Sequence, residues 1–141
     1  MCLYKNHWLP KISCKPKYVY KVVYYTKSEE KTVMHSAFRG TVIEPDTLIK
    51  ASKSWIRSLF TKNIKGEGVH AYKRKSAAVH TRCCFSITSW SHIYSNTPQE
   101  FIGFAVVNAI IPPYTFYWEN KYDGDEIAAT KMIILNSTNN G

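Results

Sequence analysis

The chain has 141 residues, 45% hydrophobic and 14% aromatic with ten tyrosines, and carries a formal net charge of +9. That length suffices for one buried core, and that composition excludes a disordered polar chain. No apolar run approaches the ~20 residues of a membrane-spanning helix; the longest, residues 101–113, is interrupted by Gly103 and Asn108.

Residues 5–17 read as extended, because Pro10 and Pro16 disfavour helix before them and Lys11, Lys15 and Lys17 keep the segment wet. Residues 18–25 are a dense set of Val and Tyr with neither face cleanly polar, which predicts a central strand. A polar turn at 26–30 leads to a second strand at 31–38, closed by Gly40, and the two form a hairpin. Leu48, Ile49, Ser52, Trp55, Ile56, Leu59 and Phe60 then recur at helical spacing, predicting a short amphipathic helix capped by Asp46 or Thr47, with Lys50, Lys53 and Arg57 on its wet side. Gly66 and Gly68 precede a short strand at 69–72, and residues 76–87 fit helix better than strand. After a loop at 95–98 comes a strand at 101–111, apolar on both faces and ended by Pro112 and Pro113. Short strands at 115–118 and 132–135 flank a turn at 123–125, and residues 136–141 form a frayed tail. The expectation is a single α+β domain over 1–141, mostly antiparallel β-sheet with one or two short helices.

Charge is unevenly spread. Residues 1–75 hold 16 Lys and Arg against 5 Asp and Glu, a net +11, whereas residues 76–141 net −2. Such asymmetry points to an acidic partner, either nucleic acid or an acidic protein face. The opening residues lack the apolar stretch of a signal peptide, so a cytoplasmic location is expected, with Cys2, Cys14, Cys83 and Cys84 as free thiols.

Motifs for catalysis are weak. His80, Cys83 and Cys84, with Cys2 and His7, lack the paired spacing of a zinc site, and the adjacent thiols fit core packing better. A nucleophilic cysteine needs a histidine base, for which His35, His70, His80 and His92 are candidates. His70 is the most notable, and a buried ring bonded to a backbone carbonyl is its expected role. Glu29, Glu30, Asp123, Asp125 and Glu126 read as solvated turn carboxylates, and Gly66-Glu-Gly68 lacks the lysine of a phosphate loop. No catalytic set, metal or cofactor is expected. What remains is basic residues interleaved with aromatics: Lys15, Lys17, Tyr18, Tyr20, Lys21 and Tyr24, then Tyr72, Lys73, Arg74 and Lys75. Lysines and arginines neutralise phosphates while rings stack on bases, but tyrosines on a two-sided strand fit core better, so the candidate partner-binding set is Lys15, Lys17, Lys21, Lys73, Arg74 and Lys75, with Lys50, Lys53 and Arg57.

Several stretches carry a resemblance: Met1-Cys-Leu-Tyr-Lys-Asn6, Trp8-Leu-Pro-Lys-Ile-Ser13, Lys15-Pro-Lys-Tyr-Val-Tyr-Lys-Val22, Gly68-Val-His-Ala-Tyr-Lys73, Asn108-Ala-Ile-Ile-Pro-Pro-Tyr-Thr-Phe-Tyr117 and Glu126-Ile-Ala-Ala-Thr-Lys-Met-Ile-Ile134. Over about half the chain these resemble a family of small proteins from gut-type bacteria, their phages and their mobile elements. The resemblance implies an accessory protein, and proteins of that kind often block host defences, including RNA-guided CRISPR nucleases. The expected function is therefore a non-enzymatic counter-defence protein that binds RNA or a protein–RNA complex such as a CRISPR effector. Two alternatives stand beside it: a sponge for a nucleotide-derived immune signal, and a small nucleotide-dependent enzyme using His70 with Tyr72.

Overall fold

The computed structural model describes residues 2–6, 9–37, 41–51, 53–60, 63–65, 69–84, 100–122 and 124–135. Its strands in chain order are β1 (Cys2–Tyr4), β2 (Lys11–Ile12), β3 (Lys17–Ser28), β4 (Lys31–Ser36), β5 (Val42–Ile43), β6 (Leu48–Lys50), β7 (Asn63–Lys65), β8 (Val69–Tyr72), β9 (Glu100–Ile111), β10 (Phe116–Glu119), β11 (Glu126–Ala129) and β12 (Lys131–Ile134). A 3-10 helix covers Lys53–Phe60 and the α-helix α1 covers Lys75–Cys84. The protein is thus mostly antiparallel sheet with one short α-helix, compatible with the α+β class, and no described helix is long and apolar enough to cross a membrane.

Eight of the twelve β3 residues are Val, Tyr or Thr, whose bulk suits a pleated backbone. One edge of β3 takes β9 in eleven registered pairs, from Lys17↔Ile111 to Lys27↔Glu100. Ile102 is the extra residue where the register slips between Tyr25 and Thr26, and it is exposed although Phe101 and residues 103–111 are buried or half-buried. The other edge of β3 is divided: β8 meets it only at Tyr20↔Tyr72, and β4 pairs from Val23↔Ser36 to Ser28↔Lys31. β11 joins β8, and β12 joins β9. Because Thr130 alone separates β11 from β12, residues 126–134 flank both sides of the β8-β3-β9 unit, and the sheet curls into a roll.

The roll encloses the main core of Val19, Val23, Ala71, Val107, Ile111, Ile127, Met132 and Ile134. Its outer face has two covers. Helix α1 packs Ala78 against Val22 and Tyr72, while the 3-10 helix lays Trp55 and Leu59 against Leu3, Trp118 and Ala128. Halves that differ in charge are therefore interleaved in space, since β3 belongs to one and β9 to the other.

Lys21 lies where β8 and β4 part company. It is only 6% exposed, and its Nζ donates to the His70 carbonyl at 2.7 Å, supplying a bond where the ladder between β3 and β8 has stopped. Burial pulls its pKa down to about 8.

The helix expected from Asp46 onward begins later. Leu48–Lys50 is drawn into the sheet as a partner for β12, whose backbone groups need satisfying. Asp46 turns the chain with a φ of 62°, and Thr47 Oγ1 donates to the Glu44 carbonyl at 2.7 Å, so neither caps a helix. Strand β11 was not expected. The predicted 95–98 loop, Gly40, Asp123 and the 136–141 tail lie outside the described residues.

Two outcomes follow from these features. Glu29 and Glu30 form the two-residue β3–β4 turn at φ values of 50° and 67°, a conformation suited to Asn-Gly. Glu29→Asn with Glu30→Gly should stabilise the protein by about 1 kcal/mol, read as a rise of a few degrees in Tm. For Lys21, a folded-state pKa of about 8 lies below the ordinary 10.5, so between these values the unfolded chain binds more protons and stability rises with pH. Denaturant titrations should show this rise, on the order of 3 kcal/mol, in the wild type and not in Lys21→Met; parallel pH profiles would refute the buried-amine assignment.

Candidate nucleic-acid interface

Beside the end of the roll, four segments enclose a cleft of about 330 Å³ lined by Lys50, Ala51, Lys53, Trp55, Tyr114, Phe116, Thr130 and Lys131. Each wall has a backbone reason for its place. Lys50 ends β6 and Lys131 begins β12, and the two are direct cross-strand partners. The Ala51 amide continues the contact by donating to the Thr130 carbonyl, while Thr130 donates through its own amide to Phe116. Lys53 opens the 3-10 helix two residues further on.

The aromatic floor comes from packing that the core requires. Phe116 and Trp118 alternate with Tyr117 along β10 and point to the outer face, where Trp55 lies 6.1 Å from the Phe116 ring and 6.3 Å from that of Trp118. Trp118 is buried, whereas Phe116 remains 41% exposed at the cleft. Tyr114 stands at the rim with 75% of its surface exposed.

Like charges directly opposite one another on a sheet destabilise it, yet Lys50 and Lys131 are so placed and Lys53 lines the same cleft. None of the three has a carboxylate partner among the described residues. Chemically, the arrangement is a set of unneutralised ammonium groups beside aromatic faces, which suits an anion carrying planar rings.

Of the residues singled out in the sequence, Lys50 and Lys53 meet here, and Arg57 belongs to the same 3-10 helix as Lys53. The others do not join them. Lys15 is exposed in the turn after β2, and Lys17 Nζ sits 5.2 Å from the Tyr117 ring, on the face of β10 that Phe116 does not share. Lys21 is buried and offers nothing to a partner. Lys73 pairs with Glu119 at 2.9 Å, and Arg74 makes a two-pronged contact with Asp125, its Nε 2.9 Å from each carboxylate oxygen. These contacts hold the Asp125 carboxyl below its usual range. For Glu119, burial pushes upward, but hydrogen bonds from Lys73 and Lys11 outweigh it. Lys75 is exposed at the first residue of α1. The basic run at 73–75 is therefore largely neutralised by residues from the second half of the chain. Lys131 and Tyr114, which sequence reasoning passed over, complete the cleft instead.

Three further expectations change. Cys83 is exposed because α1 turns its alanines inward, and Cys14 is exposed in the turn after β2; both thiols are free. His70 is half-buried, with both ring nitrogens enclosed and without a hydrogen bond, 3.7 Å from the Glu126 carboxylate, and desolvation lowers its pKa in spite of that neighbour. Glu126 is not a solvated turn residue but is buried, accepting from Asn120 Nδ2 at 2.9 Å. Tyr72 is core beneath α1. No cluster of three or more His, Cys, Asp or Glu side chains suited to a metal ion occurs among the described residues.

Comparison with family models, curated proteins and solved structures finds no match to this chain.

The opposed lysines make a direct test of whether the cleft sacrifices stability for binding. Lys131→Glu converts a repulsive cross-strand pair into an attractive one and should stabilise the unliganded protein by about 0.5 kcal/mol in urea titrations at low salt. A loss of stability would mean that the lysines are not in conflict.

Proposed function

We propose that the protein is a non-enzymatic binder of nucleic acid, in free form or within a ribonucleoprotein, and that the cleft between β6, β12 and the 112–116 turn is where the strand docks. The observation that carries this reading is the unneutralised Lys50–Lys131 pair facing Trp55, Tyr114 and Phe116. A polyanion relieves the repulsion, and each lysine that neutralises a phosphate releases a counterion. The resemblance to proteins of phages and mobile elements extends the proposal to counter-defence, with an RNA-guided CRISPR nuclease as the target machine.

Anisotropy with a labelled RNA tests the docking. With three lysines engaged, log affinity should fall with log salt at a slope of about −2 between about 50 and 200 mM. Joint Lys50→Glu and Lys131→Glu substitution should weaken binding by more than tenfold, whereas joint Lys73→Glu and Arg74→Glu substitution should cost less, because those charges are already paired. Salt-insensitive binding, or equal losses from the two double variants, defeats the assignment.

A second reading is favoured by the size of the cleft. A volume near 330 Å³ suits a single nucleotide, so a sponge for a nucleotide-derived immune signal would use the same lysines and rings. Thermal-shift screening against cyclic and linear nucleotides separates the two, since only a sponge gains several degrees from a small ligand.

A further inference from the structure

Four described residues other than glycine have positive φ: Glu29, Glu30, Asp46 and Tyr114. The first three are acidic residues in exposed turns. Tyr114 is different, because a bulky aromatic at a φ of 60° sits where a Pro-led turn ordinarily calls for glycine or asparagine. Such strain persists only where the surroundings over-determine the backbone.

Here they do. Ser13, 1% exposed and a hundred residues away in sequence, grips both sides of the turn. Its amide donates to the Thr115 carbonyl at 3.0 Å, and its hydroxyl donates to the Pro112 carbonyl at 2.7 Å and accepts from the Thr115 amide at 2.9 Å. The Ser13 carbonyl accepts from the Tyr114 amide itself. All of this restraint fixes the backbone beneath a ring that buries almost nothing: Tyr114 is 75% exposed, at the rim of the lysine-lined cleft. Packing of the ring does not explain the arrangement, whereas presentation of an aromatic side chain from a fixed backbone to a ligand does.

Resting on the nucleic-acid reading above, we propose that Tyr114 is a base-stacking platform and that the cleft therefore selects unpaired strands over duplex. In a duplex both faces of each base are covered by neighbours, so a protein ring finds nothing to stack on. An unpaired base offers a free face to Tyr114 and to the exposed part of Phe116, while Lys50, Lys53 and Lys131 hold the adjoining phosphates.

The test compares one short unstructured RNA with the same RNA annealed to its complement, by anisotropy at fixed low salt. The wild type should bind the unpaired form about tenfold or more tighter. Tyr114→Ala and Tyr114→Gly should both erase that preference, and Tyr114→Phe should keep it. The glycine variant guards against misfolding, since glycine adopts positive φ without strain and should melt no lower than the wild type. Equal affinity of the wild type for both forms, or a preference that survives in Tyr114→Ala and Tyr114→Gly, overturns stacking. If Lys50→Glu then still weakens both forms, electrostatic docking stands without it. Absence of binding to either RNA removes both readings.

Discussion

The pairing of β3 with β9 is the constraint from which the other parts take their positions. Eleven registered pairs join segments separated by about eighty residues, and every further strand of the large sheet attaches directly or in turn to one of these two. Residues so distant in sequence meet only at a considerable entropic cost, which the apolar faces of both strands offset by burying Val19, Val23, Val107 and Ile111 in one core. Once β3 is flanked by β9, its other edge has room for two short partners rather than one long one. The fork between them is where Lys21 is buried. A lysine there is tolerable because its ammonium donates to the His70 carbonyl.

The same geometry brings the cleft together. β12 is placed by β9, β6 by β12, and the 112–116 turn by the abrupt end of β9 at Pro112, so Lys50, Lys131 and Tyr114 converge as a by-product of closing the roll. Two local features run against stability at that point: opposed lysines and a left-handed tyrosine. Two local rules broken side by side are what the proposed binding role would account for.

Much of the sheet was legible in the sequence. β3, β8 and β9 announce themselves through β-branched and aromatic density bounded by Pro, Gly or polar turns, and α1 through its alanines after a basic run. β11 was hidden because Glu126, Ala128 and Ala129 carry no strand preference; tertiary pairing with β8 and β10 makes it a strand. β6 was masked by chance, since Leu48 and Ile49 fall in helical phase with Trp55 and Leu59. The residues of the candidate cleft were half legible. Counting charge by halves of the chain drew attention to Lys73 and Arg74, which find Glu119 and Asp125 in the fold, and away from Lys131, which finds no carboxylate among the described residues. For Lys21 a signal was present: a lysine inside a strand apolar on both faces has no wet side to occupy.

Both ends of the long sheet path are very short strands, β2 with two residues and β6 with three, and β5 beyond β4 has only two. Lys11 and Lys50 sit on the first two of these. A ten-stranded sheet rich in Val, Ile and Tyr is a template for edge-to-edge association wherever it exposes a long flat ladder of unpaired amides and carbonyls. At the two ends of its path this sheet exposes only two or three residues, and a lysine sits on each of those strands. At these two ends, then, another copy has little backbone to pair with.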